Sequence, residues 1–411
     1  MSILTATRRD NPHDVVVFAK IYNHVMVILG IWIGYNESGL NKQAANAKEV
    51  LDLKRLGILT GGGDAPGLNA VIRAVAKVAD AEGVQLYGFR NGYSGLIRGD
   101  YLQLEKHHIS GLLPRGGTIL GTNNRDNPFN FPIKEGNRVV YRDMSDKAVE
   151  NLEAFKIDCL IVIGGDGSLA IARELTEKGA RIIGVPKTID NDMQGTDQTF
   201  GFDTAVTTAT DALDKLHTTA ESHHRVMVLE LMGRYAGWIA LYSGVAGGAD
   251  VILIPEISWS MENVAKKIIS RKEEGKPFSI IVVAEGAKTP EGEQVVRDTV
   301  KGSGDPIRLG GISHLVARMV EDTTGFESRA TVLGHLQRGG SPSPFDRILA
   351  TRYGEAAARL ALAGEFGKMV SLKNGEITSL SFEEIPPGSR NIPRDHPLIK
   401  AAKSLGISFG D

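Results

Sequence analysis

The sequence predicts an α/β protein built on mostly parallel sheets. Between residues 55 and 333, short apolar runs alternate with segments whose apolar residues recur at helical spacing. This alternation is typical of βαβ units, in which helices join parallel strands. The 48 glycines, many of them directly after an apolar run, are the second observation. Glycine lets the backbone approach a ligand closely, and open α/β sheets bind ligands outside the carboxyl ends of their strands. We therefore expect the functional site in the glycine-rich loops.

The composition is that of an ordinary globular protein. The chain has 411 residues, enough for two domains, and 42% of them are hydrophobic and 23% charged. A formal net charge of -2 gives no general attraction for nucleic acid or an anionic membrane, and we expect neither as a partner. The only cysteine, Cys159, lies in an apolar run, so no disulfide forms within the chain. A cytoplasmic location is therefore expected.

Residues 1–53 do not share the pattern of the rest. The run of eleven apolar residues at 25–35 is shorter than the roughly 20 that a membrane-spanning helix needs. With Arg8 and Arg9 upstream, this run resembles a signal sequence only loosely, because Asp10, Asp14, Lys20 and His24 intervene and no cleavage pattern is clear. Residues 36–47 are polar and indicate a linker. We expect an extension outside the core, or upstream sequence included by a wrong start site.

The remaining elements follow from local patterns. The first strand, residues 55–60, leads into a glycine loop and a helix over residues 69–81, in which Val71, Ile72 and Val75 have helical spacing. Further strands are expected over residues 84–89, 158–163, 181–185, 225–231, 251–254 and 279–284, with residues 329–333 as the final strand. Further helices are expected over residues 169–178, 210–223 and 261–273.

Two glycine loops follow predicted strands. Loop 61–67 could present backbone N–H groups to a phosphate, but it lacks the Lys-Ser/Thr of a P-loop. Loop 164–168 has the outline of a dinucleotide fingerprint, without the acidic residue expected about 20 positions later. Asp166 within that loop would repel bare phosphate but suits a magnesium ion that bridges phosphates. A tight turn with a capping aspartate is the alternative.

Loop 186–192, PKTIDND, has the parts needed for phosphoryl transfer. It follows a strand and carries Asp190, Asp192, Thr188 and Lys187. One carboxylate can accept a proton from an attacking hydroxyl, and the other can help to hold a metal. A polar turn that only starts the next helix is the alternative.

Basic residues flank two later strands. Arg225, Arg234, Arg329 and Arg338 lie near the ends of these strands, together with His335. The planar guanidinium group suits phosphate oxygens, so a sugar phosphate could use such a cluster as its anchor. Glu285, directly after an apolar strand, could hydrogen-bond sugar hydroxyls; a helix N-terminal acid is the alternative.

Seven ordered motifs together resemble the 6-phosphofructokinase family. They are LTGGGDAPGLNA at 59–70, GGTILGT at 116–122, IGGDGS at 163–168, PKTIDND at 186–192, GFDTA at 201–205, MGRYAGW at 232–238 and ATVLGHLQRGGSPSPFDR at 330–347. The resemblance covers roughly residues 54–365. It implies two Rossmann-like three-layer domains with mostly parallel sheets and the active site in the cleft between them.

The resemblance also implies the domain boundaries and the assembly. Residues 54–201 with about 337–388 would bind the phosphoryl donor, and about 202–336 with 389–411 would bind the sugar phosphate. Arg225 and Arg329 would reach into the site of a neighbouring subunit. A homo-oligomer, a dimer or tetramer, is therefore expected.

The resemblance assigns a role to each motif residue. Asp190 would be the base for the 1-hydroxyl of fructose 6-phosphate, Thr188 and Arg234 would stabilise the moving phosphoryl group, and Asp166 would hold Mg²⁺. The residues implied for the donor site are Gly62, Gly63, Arg125, Gly165, Asp166, Gly167, Ser168 and Lys187. Those implied for the sugar phosphate are Thr188, Asp190, Asp192, Arg225, Met232, Gly233, Arg234, Glu285, Arg329, His335 and Arg338.

The sequence indicates the phosphoryl donor less directly than it indicates the sugar phosphate. In this family, aspartate at position 167 with lysine at 187 resembles the pyrophosphate pairing, and glycine at both resembles the ATP pairing. This chain has Gly167 and Lys187. An aspartate at 167 could not avoid facing the phosphates, whereas a lysine can swing aside. We therefore expect ATP, with pyrophosphate as the alternative.

Two other functions stay open. The NAD kinase group also uses a GGDG loop, although the PKTIDND and GHLQRGGSP stretches favour a sugar phosphate. A non-catalytic regulatory paralogue is the non-enzyme alternative. Such proteins typically lose the base, and Asp190 is present.

Overall fold

The computed structural model describes residues 5–6, 16–22, 25–31, 53–299 and 307–411. Its contacts divide the chain into two units, Met1–Val50 and Leu51–Asp411. In the first unit, β1 (Thr5–Ala6), β2 (Val16–Tyr22) and β3 (Val25–Ile31) form an antiparallel sheet. Strand β3 accounts for part of the apolar run at 25–35, and the predicted linker at 36–47 lies outside the described residues. In the described ranges, no helix combines the length and apolar character needed to cross a membrane.

The second unit alternates strands and helices, as predicted. In chain order its first half contains β4 (Arg55–Thr60), α1 (Leu68–Ala81), β5 (Gln85–Phe89), α2 (Tyr93–Arg98), β6 (Tyr101–Gln103), α3 (Lys106–Ile109), β7 (Phe131–Glu135), β8 (Arg138–Arg142), α4 (Ser145–Ala154), β9 (Cys159–Gly164), α5 (Asp166–Glu177), β10 (Ile182–Pro186) and α6 (Phe202–His223). Its second half contains β11 (Val226–Leu231), α7 (Trp238–Ala246), β12 (Val251–Leu253), α8 (Met261–Glu273), β13 (Ser279–Ala284), β14 (Val296–Thr299), β15 (Ile307–Leu309), α9 (Ile312–Thr324), β16 (Ser328–Val332), α10 (Pro344–Leu362), β17 (Lys368–Lys373), β18 (Glu376–Ser381) and α11 (Pro397–Ser404).

The larger sheet has seven strands in the order β18-β17-β10-β9-β4-β5-β6. Strands β17, β10, β9, β4 and β5 are parallel, and β6 and β18 are antiparallel strands at the two edges. In the register, Pro186 lies opposite Gly164 and Thr60 lies opposite Ile163. The loops that follow β4, β9 and β10 therefore emerge side by side at one edge.

The smaller sheet has four parallel strands in the order β12-β13-β11-β16. Leu231 lies opposite Ala284, and Glu230 lies opposite Val332. The loops after β11, β13 and β16 therefore also meet at one edge. The confirmed fold is α/β with mostly parallel sheets.

Burial explains why the central strands were recognisable. Strands β9, β11 and β13 are buried at every position, because helices cover both faces of a parallel sheet. Their sequences are therefore nearly continuous apolar runs. Cys159 is fully buried in β9, and burial raises the pKa of its thiol well above the usual range.

Two helices begin earlier than predicted. Helix α5 begins at Asp166 instead of residue 169, because polar and glycine residues form its first turn. Helix α6 begins at Phe202 instead of residue 210, after Gly201 at φ 94°. Its first turns are rich in threonine, which interrupts the apolar periodicity on which the prediction depended.

The strand predicted over residues 329–333 is present as β16 (Ser328–Val332), but the prediction that it is the final strand was wrong. Strands β17 and β18 follow it and form a hairpin on the larger sheet. The hairpin turn is Asn374-Gly375, with φ of 51° and 84°. An Asn-Gly pair between two strand-like runs is a strong hairpin signal, so this hairpin was predictable from the sequence.

Candidate active site

A cleft of about 1570 Å³ lies at the carboxyl ends of the strands of the second unit. One wall consists of the loops after β4, β9 and β10, and the other of the loops after β11, β13 and β16. Single ligand pockets usually have about 300–1,000 Å³. This cleft is therefore large enough for two substrates side by side.

Two hydrogen bonds from Thr199 hold loop 186–192, of which Lys187 and Thr188 line the cleft. Thr188 lines the cleft, and its carbonyl accepts a 2.7 Å hydrogen bond from the Thr199 hydroxyl. Asn191 has φ 53°, in the left-handed region, and its side-chain oxygen accepts a 3.1 Å bond from the Thr199 N–H. Asparagine is one of the few residue types that adopt this conformation readily. The left-handed turn separates Asp190 from Asp192.

Asp190 has a carboxylate oxygen that lacks a hydrogen-bond partner. Its Oδ1 is buried, and none of the described groups donates to it. Burial raises the pKa of Asp190, while the cations Arg338, Lys187 and Arg234 act to lower it. A buried acceptor without a partner is costly unless a ligand supplies a donor. Asp190 is not among the residues that line the cleft, but Thr188, two residues before it, is. Its Oδ1 can accept a hydrogen bond from a ligand group that reaches it.

Asp192 is buried next to Asp190. Burial, followed by the charges of Asp190 and Asp166, raises the pKa of Asp192 to about 7, against the opposing effect of Arg390. Asp192 is not among the residues that line the cleft.

Lys187 is folded onto the glycine turn after β4. Its ammonium group donates to the carbonyl of Gly63, and the side chain is 3% exposed. Burial and the charge of Arg338 lower the pKa of Lys187 to about 7. Arg338 donates to the carbonyl of the next residue, Asp64, at 3.0 Å. The two side chains therefore hold two consecutive carbonyl groups of the turn.

The glycine turn itself offers fewer donors than the sequence analysis expected. The N–H of Gly61 donates to Ile163 at 2.9 Å, and that of Gly62 donates to Asn123 at 3.0 Å. Helix α1 begins only at Leu68. The expected presentation of these N–H groups to a phosphate at a helix start is therefore wrong for Gly61 and Gly62. Gly62 and Gly63 do line the cleft.

The start of α5 is the more open anion site. Gly165 is its N-cap, and no side chain caps the helix. A Cβ on Gly167 would meet no atom within 4 Å, whereas a Cβ on Gly164 would lie 2.3 Å from the side chain of Ser168. Gly164 is therefore required for packing, and Gly167 leaves free space in the cleft beside a helix N-terminus.

Asp166 fits a metal ion that is held partly by a substrate. It is exposed in the cleft, and the surrounding walls raise its pKa to about 6. Within the described ranges, no group of three or more His, Cys, Asp or Glu side chains could form a complete metal site. Mg²⁺ usually binds through one or two carboxylates together with phosphate oxygens and water. Asp166 fits that arrangement once phosphates are present.

The opposite wall brings together several predicted sugar-phosphate residues. Met232, Arg234, Glu285, His335 and Arg338 all line the cleft. Burial and the charges of Asp190 and Glu230 raise the pKa of Glu285 to about 7, while Arg338 and Arg234 oppose that rise. Gly233, at φ 136°, is buried, and its carbonyl accepts from Gly286.

The four predicted arginines are not one cluster within a chain. Arg225 and Arg329 lie at the amino ends of the parallel strands β11 and β16, and Arg234 and Arg338 follow the carboxyl ends. Arg225 forms a 2.8 Å ion pair with Glu327, and Arg329 also pairs with Glu327. The interpretation of four arginines at one site was wrong for a single chain, because position near a strand end does not say which end.

Several residues of the cleft were not predicted. Arg125 was expected there, but its neighbours Asn123, Asn124 and Asp126 also line the cleft. Asp126 is buried and accepts a 2.7 Å bond from the N–H of Ser94. The polar run TNNRDN at residues 122–127 was a usable signal.

Glu230 was not predicted, because it lies inside the apolar run at residues 226–231. It is 2% exposed within β11 and accepts bonds from the N–H groups of Gly311 and Ser313 at 3.0 and 2.9 Å. It therefore holds the start of α9 against the cleft. A lone acid in the strand sequence VMVLEL was a usable signal, since a buried carboxylate needs partners. Arg297, Arg308 and His314, on β14, β15 and α9, also line the cleft.

Comparison with known proteins agrees with these motifs. The phosphofructokinase family profile matches residues 55–361. The "ATP-dependent 6-phosphofructokinase 2" of Clostridium perfringens (strain 13 / Type A) is 52% identical over 362 residues, which are 87% of this chain and 99% of that protein. The "ATP-dependent 6-phosphofructokinase" of Spirochaeta thermophila is 47% identical over 359 residues, covering 87% of this chain and 98% of that protein.

Solved structures show the same fold. The phosphofructokinase of Pichia pastoris superposes with a TM-score of 0.70 at 31% identity, covering 90% of this chain and 39% of the longer yeast chain. A pyrophosphate-dependent phosphofructokinase from Marinobacter aquaeolei has a TM-score of 0.70 at 22% identity, covering 87% of this chain and 92% of that chain, and at that identity it supports the fold alone. With the profile covering most of its length, the chain belongs to the phosphofructokinase family.

Proposed function

We propose that this protein transfers the γ-phosphoryl group of MgATP to the 1-hydroxyl of D-fructose 6-phosphate, giving fructose 1,6-bisphosphate and ADP. The observation that carries the proposal is the unpartnered, buried Oδ1 of Asp190 beside a cleft with cations on both walls. The relatives at 47–52% identity are named ATP-dependent 6-phosphofructokinases, which supports the same assignment.

In this proposal the two walls bind different substrates. The ATP phosphates lie at the start of α5, next to Gly165, Gly167 and Ser168, with Gly63 and Arg125 nearby. The sugar phosphate lies on the wall of Met232, His335 and Arg338, with Glu285 accepting hydrogen bonds from its hydroxyls. The predicted donor segments, residues 54–201 with 337–388, contain every strand of the larger sheet. The predicted sugar-phosphate segment, residues 202–336, contains every strand of the smaller one.

Asp190 acts as the general base. It accepts the proton of the 1-hydroxyl as the hydroxyl oxygen attacks the γ-phosphorus, and ADP leaves on the opposite side. Thr188 and Arg234 contact the moving phosphoryl group, whose charge they partly neutralise. Mg²⁺ bound through Asp166 and the phosphates would neutralise the charge of the phosphates. A rigid loop matters because such transfers depend on positioning and electrostatics.

Pyrophosphate is the second candidate donor, because Lys187 brings a buried cation to the donor wall. Its ammonium group is bonded to the Gly63 carbonyl and does not extend into the space beside Gly167. That geometry leaves room for the α-phosphate and the nucleoside, and it favours ATP. Arg225 and Arg329 are proposed to complete the site of a neighbouring subunit in a homo-oligomer, since both lie at the opposite edge of their own sheet.

The test of the base is Asp190→Asn, with Asp322→Asn on the exposed face of α9 as a matched control. A positioned base contributes about 10²–10⁴ in rate. We expect kcat to fall by at least 100-fold in Asp190→Asn, with the KM of fructose 6-phosphate within about threefold and Asp322→Asn unchanged. Near-normal turnover in Asp190→Asn would remove Asp190 from this role.

A further inference from the structure

The C-terminal segment crosses from the larger sheet to the smaller one next to the catalytic loop. After β18 and a short turn, residues 389–392 lead to α11, which packs against α7. On one side, Gln194 donates to the Ser389 carbonyl at 3.3 Å. On the other side, the Ile392 N–H donates to Glu256 at 3.0 Å. The 389–392 segment therefore contacts residues that follow a strand of each sheet, since Gln194 follows β10 and Glu256 follows β12.

Arg390, within this segment, makes four further contacts. Its guanidinium donates to the Asn191 carbonyl at 2.6 Å, and its N–H donates to the Asp192 carbonyl at 2.6 Å. Its own carbonyl accepts a 2.8 Å bond from the Trp238 indole, and its guanidinium lies 4.6 Å from the centre of the Trp238 ring. One residue thus joins the peptides after Asp190 to the start of α7.

The partners of Arg390 adjoin two loops of the site, loop 186–192, which carries Asp190, and the loop after β11, which carries Arg234. Asn191 is in the left-handed conformation directly after Asp190, and such a backbone persists only where its surroundings hold it. Trp238 is the first residue of α7, directly after the loop that carries Arg234. Glu256 accepts bonds from the N–H of Gly237 as well as from Ile392, so this junction is fixed from two sides.

We infer that Arg390 is a positioning residue that sets the distance and direction of Asp190 relative to Arg234. It touches no substrate-facing surface in the cleft, and it acts through the carbonyl groups of Asn191 and Asp192 and through Trp238. The planar guanidinium is required, since it donates at its edge and stacks with its face at the same time. The inference rests on the proposed role of Asp190 as the base.

Arg390→Gln tests this inference, with Arg394→Gln as the matched control. Arg394 lies exposed four residues further along the same stretch of chain. A misplacement of about 1 Å in a catalytic group can cost about 100-fold in rate. We expect kcat to fall about 10–100-fold in Arg390→Gln, with both KM values within about threefold and the melting temperature close to that of the unchanged protein.

Arg390→Lys refines the test because it keeps the charge and loses the planar fork. We expect its kcat to lie between those of Arg390→Gln and the unchanged protein. A parallel fall of kcat and melting temperature in Arg390→Gln would overturn the inference, since a merely structural role predicts that result. An equal loss of kcat in Arg394→Gln would also overturn it, because the loss would then not depend on the contacts of Arg390.

Hydrogen exchange of the full chain gives a readout that does not depend on turnover. In Arg390→Gln we expect the amides of residues 188–194 to exchange at least about tenfold faster, because local opening becomes easier. Arg394→Gln should leave them unchanged. If exchange in Arg390→Gln equals that of the wild-type protein, the inference is overturned, whatever the activity of the protein. If the wild-type protein does not phosphorylate fructose 6-phosphate, the proposed function is overturned separately.

Discussion

Replacing Gly167 with aspartate is the most direct test of ATP as the donor. Gly167 is exposed in the first turn of α5, and a Cβ there meets no atom within 4 Å. An acid in the first helical turn is also compatible with the helix dipole. The substitution should therefore leave the fold stable while placing a second carboxylate next to Asp166, where we propose that the donor phosphates lie.

The expected loss follows from the repulsion between this carboxylate and a phosphate oxygen. At a separation of about 5 Å, two unit charges repel by about 1 kcal/mol in water and about 3 kcal/mol at an effective dielectric constant of about 20. Because each 1.4 kcal/mol corresponds to about a factor of ten in rate, kcat/KM for ATP should fall about 5- to 200-fold. The larger value applies if the cleft excludes water on binding.

The assay is kcat/KM with ATP and with pyrophosphate at the same concentrations of Mg²⁺ and fructose 6-phosphate. Gly167→Asn is the matched control, since it has the size of aspartate without its charge, and we expect it to lose much less ATP activity. Lys187→Gly should also cost far less ATP activity than Gly167→Asp. The reasoning is refuted if Gly167→Asp stays within about twofold of the unchanged protein, or if the unchanged protein prefers pyrophosphate by tenfold or more.

Two further predictions concern assembly and charge. Mixing two inactive variants, Asp190→Ala and Arg329→Ala, should restore partial activity in hybrid oligomers; subunits that demonstrably exchange without any return of activity would argue against a shared site. Burial and the charges of Asp190 and Glu230 raise the pKa of Glu285 from its ordinary value of 4.5 to about 7. The folded state therefore binds more protons than the unfolded state between these pH values, and it loses stability as the pH rises through that window. Glu285→Gln should remove this loss and raise the free energy of unfolding at pH 8 relative to pH 5 by up to about 3 kcal/mol, measured by urea unfolding; an unchanged pH dependence would show that Glu285 titrates normally.

The sequence predicted the central strands well because their environment is simple. Strand β13 and helix α8 have the predicted bounds, since burial on both faces and clear helical spacing each leave an unambiguous pattern. The hairpins β7–β8 and β14–β15 were missed, because short strands with mixed burial have neither pattern. The segment of Arg390 was missed for a different reason. It has no regular structure, and its importance comes entirely from contacts with residues far away in the chain.

The sequence predicted which residue types form the site, but it did not predict which of the carboxyl groups are buried. Asp190, Asp192 and Asp197 lie within one short stretch, and burial raises the pKa of Asp190 and of Asp192. Asp197 is exposed and forms a 3.4 Å ion pair with Lys373. The sequence alone gives three similar carboxylates, because burial and the neighbouring charges are properties of the folded chain.

The environment of Asp190 in turn depends on both sheets at once. Lys187 belongs to the loop after β10 in the larger sheet, whereas Arg234 and Arg338 come from loops after β11 and β16 in the smaller one. Burial raises the pKa of Asp190 and so favours its protonated form, which cannot accept a proton. The cations of the smaller sheet oppose that effect only while the two walls are held together. The contacts of Arg390 with Asn191 and Trp238 span the same boundary, so the positioning role that we propose for Arg390 and the charges around Asp190 depend on the same contact between the two sheets.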